Sequence, residues 1–155
     1  MRKLLAVLVI IAIPGAYLLY AYRHDLPLVP EVVREDGPTA RIGNVPIRVE
    51  VADTDELRER GLGGRDSLDA TNGMLFIFDE SDYHGIWMKD ARFPIDVIWI
   101  DEHFTVVDIT RALRPDTFPR TFEPSVPARF VIEANANYAE SFGIVLGDNV
   151  TLPEA

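Results

Sequence analysis

Cysteine is absent from this 155-residue chain, which excludes disulfides, thiolate nucleophiles and zinc–thiolate sites. Lysine is almost absent: Lys3 and Lys89 stand against 13 arginines. A GC-rich genome produces that bias, and so does a high-salt habitat in which acidic, lysine-poor surfaces stay hydrated. No serine sits in a Gly-x-Ser-x-Gly elbow, and there is no phosphate-cradling glycine loop. The three histidines, His24, His84 and His103, are too scattered for a His-Glu-x-x-His motif, so no metal site is expected. Basic charge is also short. From residue 24 onward 25 acids face 12 bases, a net of −13, which disfavours nucleic acid and anionic membrane surfaces as partners.

What the chain has instead is an apolar run. Residues 4–22 carry no charged or amide side chain. At about 1.5 Å per helical residue such a run just crosses a hydrocarbon core of roughly 30 Å. Arg2 and Lys3 precede it, and Arg23, His24 and Asp25 follow. The heavier positive charge on the amino side predicts an inside amino terminus and an outside carboxyl domain. Tyr17, Tyr20 and Tyr22 form an interfacial aromatic belt where a cleaved signal would show an Ala-x-Ala site. A transmembrane anchor (1–23) is therefore preferred to a cleaved signal, and both place the rest outside the cytoplasm. Residues 24–40, with Pro27, Pro30 and Pro38, read as a linker. Residues 41–155 read as one extracytoplasmic domain, without disulfides, held together by packing.

Within that domain, apolar–polar alternation predicts a half-buried strand over 45–51. Asp53 with Glu56 marks the start of a short helix over 57–60, stopped by Gly61. Asn72-Gly73 signals a turn into a strand over 74–78. Further strands are expected over 86–88, 95–100, 105–109 and 129–134, with a hairpin loop at 101–104 and a Pro-rich loop over 114–127. Asn135 or Asn137 caps a second helix ending at Gly143, and a last strand covers 149–152. Seven short strands and two short helices predict a mainly β domain, a small antiparallel sandwich or barrel.

The segment from Gly85 to Asp101 holds both tryptophans, the domain's single lysine and three aspartates, Asp90, Asp96 and Asp101. Alternation sets Trp87 and Lys89 on one face and Ile86, Met88 and Asp90 on the other. Asp96 shares a face with Ile98 and Ile100, and a buried carboxylate there needs a partner; Lys89, Arg60 and Arg65 are the candidates. Two readings follow. Either Lys89–Asp96 is one satisfied ion pair beside core tryptophans, or Lys89, Asp90 and Asp96 are the polar groups of a pocket walled by Trp87. In the second, a lysine beside an aromatic ring and carboxylates suits an anionic or sugar-like ligand, or acid/base work if desolvated. His84 with Asp79, Glu80 and Asp82 reads as a solvated acidic loop. Asn149-Val-Thr151 fits a glycosylation sequon.

Several ordered blocks carry a family likeness: Val51-Ala-Asp-Thr54, Arg58-x-Arg-Gly-Leu62, Gly73-Met-Leu-Phe-Ile-Phe78, Trp87-Met-Lys-Asp90, Pro94-Ile-Asp96, Pro127-Ala-Arg-Phe-Val-Ile-Glu133 and Ile144-Val-Leu-Gly-Asp148. Together they resemble the uncharacterised family called domain of unknown function 192, over about 45–152. The resemblance implies a small jelly-roll-like β sandwich, often behind a signal or membrane segment, and implies no activity. It also marks two departures: Asp90 stands where the family usually has Asn, and Ile86 where it often has an aromatic.

The residues thus predict a membrane-anchored binding or interaction module with a Trp87–Lys89–Asp96 surface. The alternative is an extracytoplasmic enzyme using Lys89, Asp90 and Asp96, with Arg60 or Arg65 as an anion clamp. Cofactor, ligand, partner and oligomeric state are not legible.

Overall fold

A computed structural model describes residues 37–153. The proposed anchor and most of the proposed linker lie outside the described residues. Among the described residues, no helix is long and apolar enough to cross a membrane.

The strands are β1 (Thr39–Ile42), β2 (Val45–Ala52), β3 (Asn72–Asp82), β4 (Ile86–Trp87), β5 (Ile95–Ile100), β6 (Val106–Leu113), β7 (Thr121–Phe122), β8 (Ala128–Asn135) and β9 (Val150–Thr151). The helices are α1 (Asp55–Arg60) and α2 (Tyr138–Ser141). Seven strands form one sheet in the order β6-β5-β8-β3-β2-β1-β9, and β4 pairs with β7 in a separate ribbon. The large sheet is a curled half-barrel. The expected mainly β domain with two short helices is present; of the expected antiparallel sandwich or barrel, the sandwich is corrected, since the second sheet is a two-stranded fragment, and the β2–β3 pair is parallel. A parallel neighbour demands a crossover, which α1 and residues 61–71 supply.

That crossover also corrects the turn expected at Asn72-Gly73. These residues open β3, paired with Arg48 and Val49. A Cβ on Gly73 would sit 2.6 Å from the Glu133 carbonyl oxygen, so the glycine serves close strand approach. At α1 the cap is Thr54, whose hydroxyl accepts from the Leu57 N–H at 3.3 Å; Asp53 lies one residue too early. Two strands escaped sequence reading. β1 begins inside the stretch read as linker, and β7 lies inside the Pro-rich loop. Each is too short or too polar to show a period.

Strands β5 and β8 lie inside the sheet, and apolar packing covers both their faces. One face joins Leu75, Ile98, Ile132 and Ala134 to Tyr138, Ala139 and Ile144 around α2. The other joins Met74, Phe76, Val97, Trp99 and Val131 to Leu62, Ile86 and Met88. Every residue of β5 is buried, including Asp96.

The ion pair expected between Asp96 and a basic side chain is not formed. Oδ1 of Asp96 accepts from the Ala112 N–H at 2.8 Å and the Asn137 N–H at 3.1 Å, and Oδ2 from the Ala139 N–H at 2.9 Å. Asn137 occupies the N-cap position of α2 but makes no side-chain cap bond; Asp96 does that work from a distant strand. It also holds Ala112, whose φ of +50° places a non-glycine residue in the left-handed region. One carboxylate thus fixes the end of β6 and the start of α2 against β5.

Replacing that oxygen pair leaves buried donors unmet, at about 1–3 kcal/mol each. Asp96→Asn, which turns one acceptor into a donor facing N–H groups, is expected to lower the urea midpoint clearly, and Asp96→Ala to lower it further. An unchanged midpoint for both would remove this role.

Candidate active or binding site

On the face opposite Asp96 the sheet carries a second acid. β8 alternates so that Val131 and Glu133 face away from the α2 core, and Glu133 lies between Met74 of β3 and Val97 of β5 in register. It is 4% exposed. Burial among these apolar neighbours pushes its carboxyl up to about 8, against partial relief from the Leu62 N–H and the Arg65 charge.

Glu133 is at the floor of a cavity of about 370 Å³, within the size range of small-molecule sites. Phe76 and Ile95 complete the floor. One wall is α1 and the following loop, from Arg58 to Gly63; the other is the β4 segment with Trp87, Met88 and Lys89, backed by Phe93. The glycines of the loop allow the walls to meet. Gly61 has φ +50° and its Cβ would lie 3.5 Å from Glu133 Oε2. A Cβ on Gly63 would lie 2.9 Å from the carbonyl oxygens of both Arg60 and Lys89. The Gly64 N–H donates to the Asp90 carbonyl at 2.8 Å, tying the loop to the turn after β4.

The mouth is charged but largely paired. Lys89 Nζ is 2.8 Å from Glu59 Oε1 and 5.7 Å from the Trp87 ring centroid. Arg58 bonds Asp55 and the carbonyls of Asp53 and Ile77, and lies over Phe78. The Arg60 side chain makes no ion pair or hydrogen bond among the described residues, although, behind the Arg65 hydrogen bond, its charge helps lower the Glu50 carboxyl; Glu59 is lowered and Lys89 raised by their mutual hydrogen bond.

The sequence-predicted residues divide accordingly. Trp87, Lys89 and Arg60 line the cavity, and Trp87 keeps 42% of its surface exposed, whereas Trp99 is fully buried core. Asp90 lines an adjoining, shallower groove with Arg60, Lys89 and Arg92. Its φ of +58° is a conformation that Asn and Asp tolerate best, which accounts for both residue types at this position. Arg65 lines neither space; it grips Glu50 at 2.5 and 2.8 Å. Asp96 is on the other face and lines neither space. His84 stacks on Phe78 and approaches the Glu80 carbonyl at 2.9 Å. Among the described residues no three His, Asp or Glu side chains are grouped to hold a metal.

Glu133, Phe76 and Arg58 were missed. The signal for Glu133 was present: an acid in the apolar strand over 129–134 raises the question asked of Asp96, and was not asked it.

The comparisons with known proteins agree on kinship. The family model DUF192, described as "Uncharacterized ACR", matches residues 38–152. The chain belongs to that family. Two curated relatives are UPF0127 proteins: PF1050 of Pyrococcus furiosus, 33% identical over 67 residues, and PH1112 of Pyrococcus horikoshii, 37% identical over 67 residues. Each alignment covers 43% of this chain and 52% of the relative, so the chain spans about half the length of the curated relatives it matches. Among solved structures, a proposed transcription regulator from Sinorhizobium meliloti aligns with TM-score 0.70 at 27% identity, covering 74% of this chain and 92% of that one. A protein of unknown function from Novosphingobium aromaticivorans aligns with TM-score 0.69 at 27% identity, covering 74% and 83%. DUF192 has no assigned activity, so chemistry must be argued from the site.

A raised carboxyl makes the fold lose stability with rising pH. Glu133 stays protonated in the folded chain up to about 8, whereas an unfolded glutamate ionises near 4.5. The folded state therefore binds the extra proton between those values, and its stability falls across that window as pH rises. Thermal unfolding from pH 5 to pH 8.5 is expected to show this decline in the wild type and a much flatter profile in Glu133→Gln. Parallel profiles would contradict it.

Proposed function

We propose that this DUF192 domain is a membrane-tethered, extracytoplasmic binding module that takes a small amphipathic molecule into the Glu133 cavity. The observation that carries the reading is a cleft with aromatic walls, a buried carboxyl at its floor and charged groups at its mouth, the usual make-up of a small-molecule site. Trp87 and Lys89 supply the outer wall and Arg60 an uncommitted cation at the rim. The acidic balance argues against nucleic acid as partner, and the charge pattern around residues 4–22 supports the anchor and its orientation.

An enzymatic reading survives only in altered form. Lys89, Asp90 and Asp96 do not converge, because three backbone donors occupy Asp96 on the far face. The one observation favouring catalysis is a carboxyl near 8 in a cleft, the range that acid/base work at neutral pH uses. Any such reaction would run through Glu133.

Binding is tested by titrating the full chain in detergent with a panel of small amphipathic compounds while following tryptophan emission. Trp99 is sealed in the core, so a change reports Trp87. A binder is expected to raise the melting temperature and to lose about tenfold or more in affinity with Trp87→Ala, a loss of ~1.4 kcal/mol. Binders indifferent to that substitution would place the site elsewhere.

The tether is tested separately in intact cells carrying a tag after residue 155. The tagged chain is expected to resist carbonate extraction and to be digested by protease added from outside. Recovery in the cytosolic supernatant would overturn the anchor and its orientation together.

A further inference from the structure

Two acids are buried among the described residues, Asp96 and Glu133. Asp96 has three backbone donors; Glu133 has the Leu62 N–H alone and faces a cavity. With so few donors, a carboxyl buried here ionises readily only if a cation is brought beside it.

Among the described residues, no cation completes it. Arg65, from the loop after α1, is the nearest in electrostatic effect, but both its terminal nitrogens are on Glu50 of β2. Arg58 of α1 is held by Asp55 and two backbone carbonyls. Lys89, after β4, is held by Glu59. Arg60 is exposed at the rim, and Glu123 adds a further acid to the lining. No charged side chain comes from β3 or β5 beside Glu133, where Met74 and Val97 are its neighbours.

We propose that the ligand is an organic ammonium ion, a short apolar body bearing one protonated amine that seats on the Glu133 carboxylate. The proposal rests on the reading of this cavity as a ligand site and names the ligand's chemistry. Aromatic side chains line the space around Glu133, with Phe76 on the floor and Phe93 and Trp87 on the walls; ring faces attract an ammonium group. The acid surplus of the whole chain, −10, raises the local concentration of cations. At neutral pH the protonated Glu133 carboxyl gives up its proton to solvent as the ammonium arrives, leaving a carboxylate–ammonium pair: one proton out for each amine bound.

The test compares three probes of nearly equal size on the full chain in detergent, by isothermal titration at pH 7. These are phenethylamine (cation), 2-phenylethanol (neutral) and phenylacetate (anion). Repeating the amine titration in phosphate and in Tris measures the protons exchanged. The amine is expected to bind at least tenfold tighter than the alcohol and to release protons. Glu133→Gln should remove the amine's advantage while leaving the alcohol's affinity in place. Proton release is read on the wild type, so it stands even if the variant folds poorly. Equal or tighter binding of the alcohol or the acid, or amine binding without proton release, overturns the ammonium proposal while sparing the cavity as a site. Failure of all three probes to bind counts against both readings.

Discussion

The centre of the sheet is packed between apolar layers on both faces, and the placing of acids on its two inner strands governs the rest of the structure. β5 and β8 each run between apolar layers. A carboxyl group there must be matched by donors, matched by a cation or kept protonated. Asp96 and Glu133, on adjacent strands and opposite faces, take different solutions. Asp96 gathers three backbone N–H groups and so converts a buried charge into an anchor for α2 and the end of β6. Glu133 has one donor and an open cavity in front of it.

That difference separates a purely structural face from the face proposed to bind a ligand. On the Asp96 side, α2 is only four residues long, too short to be stable by itself. It holds because Tyr138 and Ala139 are buried and a remote carboxylate supplies its missing cap. On the Glu133 side, the crossover between the parallel strands β2 and β3 lies over the sheet face and contacts the turn after β4. Gly63 permits that contact: any side chain would collide with two carbonyl oxygens. The result is a roofed space where a simple hairpin would have left a flat sheet face.

Much of this architecture was legible. The alternation of 45–51 and the apolar runs at 95–100 and 129–134 announce β2, β5 and β8, because burial imposes a period that side chains must obey. The helix stops at Gly61 and Gly143 are equally local, as are the exposed Trp87 and the buried Met88 and Ile86. What could not be read depends on pairing across the chain. β7 exists because it pairs with β4, not because Thr121 and Phe122 favour a strand. Asn72-Gly73 has hairpin chemistry, yet the parallel register gives it a different use. The need for a partner at Asp96 was correctly inferred, but backbone donors at 112, 137 and 139 lie too far along the sequence to be guessed, so charge complementarity pointed to Lys89 instead. Of the residues singled out by their chemistry, Trp87, Lys89 and Arg60 line the cavity. Glu133, in an apolar strand, carries the same signal as Asp96.

The contrast between the two faces of the sheet stands on the protonation of one side chain, which is directly observable. Carbon-detected NMR of the full chain, with glutamate side-chain carboxyls labelled, follows every Glu through a pH titration. One resonance should titrate near 8, far above the rest, and vanish in Glu133→Gln. If all glutamates titrate in the ordinary range near 4.5, the carboxyl at the cavity floor is not held protonated, and the contrast between the two faces of the sheet fails.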